Sequence, residues 1–119
     1  MKFGIYYAYW AQKWGVDYHP YIDKVSALGY DVLEVSCAGL KDLSVEELKS
    51  LRIHAQDKNI ILTGGYGPKP EQSLASLDPE VVKNGFRFWD DTFRALEVLG
   101  ITSSACRLPC SKPLPLLYY

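Results

Sequence analysis

Turn signals and hydrophobic periodicity alternate along this chain with a repeat of ~30 residues, the length of one strand–helix unit, and that alternation restricts its fold more than any other feature. Residues 4–9 (GIYYAY) read as a first strand, rich in aromatic and β-branched residues and free of proline. A helix over residues 18–28 follows. Asp17 stands at its N-cap, Pro20 in its first turn, Tyr21, Val25 and Leu28 on one face, and Gly29 at its left-handed stop. Residues 32–36 (VLEVS) form a second strand. The next helix has the clearest start, because Ser44 and Glu47 make a capping box and Leu43 and Leu48 a hydrophobic staple. Leu51 and Ala55 continue its buried stripe to about Lys58. A third strand over residues 60–63 runs into Gly64-Gly65-Tyr66-Gly67-Pro68, where glycines permit unusual backbone geometry or a close approach. Asp78 and Pro79 then open a third helix, with Val82, Phe86, Trp89, Phe93 and Leu96 on its apolar face and Gly100 at its end. A βαβαβα order predicts an α/β fold with a parallel sheet covered by helices.

The faces of the first strand narrow this further. Ile5, Tyr7 and Tyr9 are bulky and suit packing against helices, whereas Gly4, Tyr6 and Ala8 leave a narrow face with one aromatic hydroxyl. That asymmetry fits a barrel strand. Tyr6 then points inward near the strand's C-terminal end, with Trp10 and Trp14 on the loop above, where a site would be built. After Ile101 the alternation stops. Residues 102–119 carry Pro109, Pro113 and Pro115 and show no period-two pattern, so a buried central strand is not expected there. A closed eight-fold barrel needs about 250 residues, against 119 in this sequence. The expectation is an incomplete (β/α)8 barrel: about three βα units over residues 1–101, then an irregular, aberrant tail over residues 102–119.

Composition excludes several classes. A net charge of −1 gives no footprint for nucleic acid or an anionic membrane. No apolar run approaches about 18 residues, and no charged-then-apolar leader is present, so neither a membrane span nor a signal peptide is expected. Three cysteines without secretory context point to reduced thiols and a cytoplasmic protein. The spacing of Cys106 and Cys110 lacks a second ligand pair for zinc. His19 and His54 are expected to serve helix packing or the surface, and Asp90 and Asp91 a solvated helix edge. Glu34, inside an apolar strand, reads as a hydrogen-bonded carboxylate of the sheet in preference to a ligand. The GGYG run lacks the spacing and the lysine of a phosphate-binding loop.

Taken together, GIYYAYW at the start, GYDVLEV in the second strand, IILTGGYGP in the third and the SxxE of Ser44 to Glu47 resemble the N-terminal part of ketose (D-tagatose/D-psicose) 3-epimerases, xylose isomerase-like (β/α)8 barrels. The likeness runs to about Ile101. The family would continue with a glycine-rich strand, and the switch at Thr102 reads as a frameshift or a mis-joined end. The resemblance implies epimerisation of free ketohexoses at C3, with a divalent metal (Mn²⁺, Co²⁺ or Mg²⁺) and two glutamates. Those glutamates, and the Asp and His that complete the metal site, belong to later strands of the family. No catalytic residue and no metal ligand is therefore expected in this chain, which should be inactive alone. What carries over is part of a ketohexose pocket: Tyr6 flanking the sugar, Trp14 over its far end, and Gly65, with Gly67 beside it, leaving room near the terminal hydroxyls. Two other readings stand beside this one. One is a different barrel of the superfamily, an apurinic endonuclease or a sugar-phosphate isomerase. The other is a non-enzymatic half-barrel that self-associates through its open sheet edges.

Overall fold

A computed structural model describes residues 1–106 of the chain. Four parallel strands lie side by side in chain order: β1 (Gly4–Tyr6), β2 (Val32–Ser36), β3 (Ile61–Tyr66) and β4 (Ser104–Cys106). Three helices connect them: α1 (His19–Ala27), α2 (Val45–Asp57) and α3 (Pro79–Leu99). A strand order that simply follows the sequence is that of a barrel wall; a doubly wound sheet would reverse direction at a switch point. The register sets Tyr6 opposite Glu34, Glu34 opposite Thr63, and Ser36 opposite Gly65. Those residues share one face of the sheet, because side chains alternate along each strand. The opposite face carries Leu33 and Val35, which meet Ile22 and Val25 of α1, Leu48, Leu51 and Ala55 of α2, and Leu96 and Leu99 of α3 in a single buried core. No described helix is long and apolar enough to cross a membrane.

The helix ends follow the sequence closely. Ser44 Oγ accepts the Glu47 amide at 3.1 Å, and the Glu47 carboxylate accepts the Ser44 amide at 2.7 Å. Asp78 caps α3 through the Glu80 amide, and Gly29 and Gly100 adopt left-handed φ values of 80° and 74°. Asp17 accepts the His19 amide at 3.0 Å, one position earlier than a formal cap, since Tyr18 occupies that place.

Five expectations need correction. The first strand ends at Tyr6, and Tyr7–Tyr9 turn into a 3-10 helix. The cause is Tyr7, fully buried in edge contacts with Tyr6, Tyr18 and Tyr21, which pulls the chain inward and leaves Tyr9 exposed instead of packed on a helix. On α1 the buried stripe is Ile22 and Val25, and Leu28 is exposed. The third strand runs through Gly64 and Gly65 to Tyr66; neither glycine has a positive φ, and both are extended residues pressed against neighbours. On α3 the buried face is Phe88, Trp89, Thr92, Ala95, Leu96 and Leu99, while Phe86 and Phe93 face outward. Gly85 lies against the Gln72 carbonyl and Leu74, so the chain before the helix packs on that side and fixes its rotation. The short β4 starts inside the segment read as irregular and pairs with β3 through residues 64–66. The prolines and Cys110 of the tail lie outside the described residues.

Candidate functional site

β1, β2 and β3 end at one edge of the sheet, and a cleft of about 650 Å³ opens there. In parallel α/β sheets the C-terminal strand ends are where ligands sit, because loops rather than helices surround that edge. Tyr6, Trp14, Gly65 and Gly67 all line this cleft, joined by Glu34, Ser36, Ala38, Tyr66 and Lys69. The four residues singled out from sequence are therefore brought together in space. Trp10 is not among them: it stacks on Tyr21 and receives Lys24 Nζ at 4.8 Å from its ring centroid, on the side of α1.

Tyr6 forms one wall. Burial, then the adjacent Tyr7, raise its hydroxyl above the usual tyrosine range; the nearby Ser36 acts in the opposite sense, and the Glu34 charge raises it further. It stays a neutral donor at any physiological pH. Trp14 hangs over the mouth, largely exposed, with its ring edge-on to Tyr7 at 6.5 Å. Beneath it Tyr18 donates from a buried hydroxyl to the Ser36 carbonyl at 3.3 Å, and burial pushes its pKa up strongly. Tyr66 closes the far side: its hydroxyl donates to Gln72 Oε1 at 2.7 Å, and its ring stacks on Phe88 at 4.8 Å.

The glycines differ in role. A Cβ on Gly67 would meet nothing within 4 Å. A Cβ on Gly65 would run into the Glu34 carboxylate. Glu34 is thus a lining residue, half-buried on the inner face between Tyr6 and Thr63, and among the described residues no hydrogen bond ties its carboxylate into the sheet. The signal that would have found it is alternation: Tyr6 faces inward, and a parallel partner in register faces the same way.

The divalent ion of the family does not fit the described residues. Among them no group of three or more His, Cys, Asp or Glu side chains is placed to hold a metal, and Glu34 is the single carboxylate of the cleft. The nearest approach to a ligand cluster is elsewhere, where His19 and His54 face each other between α1 and α2. Asp90 forms an exposed ion pair with Arg94 at 2.8 Å, as a solvated helix edge would.

No protein-family model matches the chain. Individual proteins do. A D-psicose 3-epimerase of Enterocloster bolteae is 48% identical over 103 residues, which are 85% of this chain and 34% of that protein. The crystal structure of a D-psicose 3-epimerase solved in the presence of D-fructose superposes with a TM-score of 0.87 at 39% identity, covering 91% of this chain and 37% of that one. The D-psicose 3-epimerase of Clostridium cellulolyticum H10, solved with D-tagatose, gives 0.87 at 42% identity with the same coverage. The chain thus spans about a third of the length of the relatives it matches. An endonuclease or a sugar-phosphate isomerase is not favoured. By sequence and by backbone alike, this chain matches an N-terminal portion of the ketose 3-epimerase barrel.

Proposed function

We propose that this chain forms the opening part of a ketose 3-epimerase and that its cleft receives a free ketohexose. Tyr6 flanks the sugar, Trp14 covers its far end, and Gly65 and Gly67 lie by the terminal hydroxyls. The observation that carries this reading is the convergence of all four on one cleft at the C-terminal edge of a parallel sheet. An aromatic wall with a tyrosine hydroxyl suits the apolar faces and hydroxyl edges of a sugar.

Inversion at C3 removes a proton made acidic by the C2 carbonyl and returns it to the opposite face. Two acid–base groups on opposite sides of the sugar are required, and the cleft offers one carboxylate. The catalytic pair and the ligands for Mn²⁺, Co²⁺ or Mg²⁺ are therefore supplied by residues other than the described ones. The chain of this sequence is expected to bind ketohexose and not to turn it over, in keeping with a cytoplasmic enzyme of free sugars. Incubation with D-fructose or D-tagatose and Mn²⁺, followed by chromatography, should yield no C3 epimer, while saturation-transfer NMR should report saturable contact. Turnover near enzyme rates would contradict the missing pair, and absent binding would overturn the cleft assignment.

A second reading concerns assembly. Among the described residues β1 and β4 are the unpaired edges of the sheet, and open edges of parallel strands recruit further strands. Self-association through them should appear as concentration-dependent elution in size-exclusion chromatography. A clean monomer with a sharp thermal transition counts against it.

A further inference from the structure

We propose that Glu34 is a specificity-determining residue of the cleft, accepting hydrogen bonds from ketose hydroxyls, and that Gly65 must be glycine to leave room for that carboxylate rather than for the sugar. This rests on the ketohexose reading of the cleft.

Placement makes the first half of the argument. Glu34 sits at the centre of β2, between Leu33 and Val35, which are both buried in the core. On the face opposite to theirs, half-buried at the cleft, its carboxylate keeps only part of its hydration and is best matched by donors. The described residues do not supply them: Glu34 takes part in no ion pair or hydrogen bond with them, and its charge is felt instead at the neighbouring Tyr6 hydroxyl. Its oxygens face the same cleft as Tyr6, Trp14 and Gly65. An ionised carboxylate accepts at several lone-pair sites and can take two hydroxyls at once. A polyol beside an aromatic wall is the ligand chemistry that meets such a group.

Gly65 makes the second half. The position is extended and its φ is ordinary, so backbone freedom does not call for glycine. The nearest atoms that a Cβ would meet are Oε1, Cδ and Cγ of Glu34. A methyl group there displaces the carboxylate first. Gly65→Ala should therefore act through Glu34, and the two positions should be coupled.

The experiment is a D-fructose titration followed by saturation-transfer NMR on the full chain, on Glu34→Gln, on Gly65→Ala, and on Glu34→Ala with and without Gly65→Ala. Thermal unfolding verifies that each variant is folded. Loss of a charge-assisted acceptor should weaken binding by at least about ten-fold in Glu34→Gln. Gly65→Ala should match that loss, and adding it to Glu34→Ala should change little further. Glu34→Asp keeps the charge and should retain more affinity than Glu34→Gln, a difference that general destabilisation would not produce. Unchanged affinity in Glu34→Gln, beside clear binding by the parent, overturns this inference and leaves the sugar cleft standing. A full additional loss from Gly65→Ala in the Glu34→Ala background overturns the coupling and returns Gly65 to the sugar. No saturable contact in the parent chain overturns the cleft reading itself.

Discussion

His19 and His54 meet nitrogen to nitrogen: their Nδ1 atoms lie 2.5 Å apart and join α1 to α2. The ring centroids are 4.8 Å apart and the planes differ by 21°, so the rings lie nearly end-on, the N···N contact plus two ring radii filling the separation. The line continues on both sides. Ser50 Oγ is 3.4 Å from His19 Nε2, and His54 Nε2 is 2.8 Å from Asp23 Oδ1, where Lys58 Nζ also approaches to 3.4 Å. Asp17 and Glu47 border the same depression as His19.

This contact needs one N–H and one lone pair. It survives with one proton on the facing nitrogens and fails when each carries one, because two N–H groups then point at each other. Asp23 adds a second acid effect. The hydrogen bond from His54, and after it the charges of His54 and Lys58, hold its carboxyl below the usual carboxylate range. A depressed folded-state pKa contributes stability above the unfolded value, and that contribution is lost as pH falls through the folded one. Thermal midpoints of the parent and of His19→Gln, measured from neutral to acid pH, should diverge: the parent falls more steeply. Parallel curves would remove the histidine pair as a cause.

The rotation of α3 gives a second prediction. Phe86 and Phe88 are two residues apart, one exposed and one buried against Tyr66 and Trp89. Phe86→Lys should change stability by no more than about 0.5 kcal/mol, as surface substitutions do. Phe88→Ala should cost about 3–5 kcal/mol through lost burial and the cavity left behind. Urea unfolding of both variants decides. The reverse ranking would restore the face read from sequence.

That face shows where the sequence was readable and where it was not. Ser44, Glu47, Asp78, Pro79, Gly29 and Gly100 act locally, on amides and carbonyls a few positions away, and such signals survive any tertiary arrangement. The α3 sequence, by contrast, holds two apolar stripes, and tertiary packing selects between them: Gly85 lies against the Gln72 carbonyl, Phe88 and Trp89 against Tyr66, and Leu96 and Leu99 in the core. Tyr6 was legible as an inner-face residue from the alternation along the first strand, whereas Gly65, beyond the strand read at 60–63, was reached only through the family resemblance. Glu34 was not legible, because its meaning depends on the register that places it beside Tyr6 and below Gly65. The end of β1 was missed for a similar reason: the cluster that captures Tyr7 draws on Tyr18 and Tyr21, from a different element.

Thr92 offers a third prediction. It is fully buried on the core side of α3, and its hydroxyl has no hydrogen-bond partner among the described residues. An unpartnered buried hydroxyl costs free energy, and valine has nearly its shape without that group. Thr92→Val should therefore raise stability, by about 1 kcal/mol. A lower urea midpoint for this variant would mean that the hydroxyl has a partner after all.

The glycine run of β3 gives the last. Gly64 and Gly67 stand three positions apart and meet different surroundings. A Cβ on Gly64 would lie 2.8 Å from Cys37 Sγ and 3.4 Å from both Leu96 Cδ2 and Ser104 Cβ, at the junction of β2, β3, β4 and α3. Cys37 and Leu96 are buried in the core and cannot simply swing away, so Gly64→Ala should cost about 1–3 kcal/mol as an overpacked site. Gly67 has open space around it and a φ outside the left-handed region. There the added methyl mainly restricts the unfolded chain, so Gly67→Ala should be neutral or stabilising by up to about 1 kcal/mol. The two variants separate fold from site. If Gly67→Ala keeps or raises the thermal midpoint yet weakens the D-fructose signal, its smallness serves the ligand. If Gly67→Ala unfolds as readily as Gly64→Ala, the run serves only the packing of the strand, and Gly67 leaves the proposed pocket.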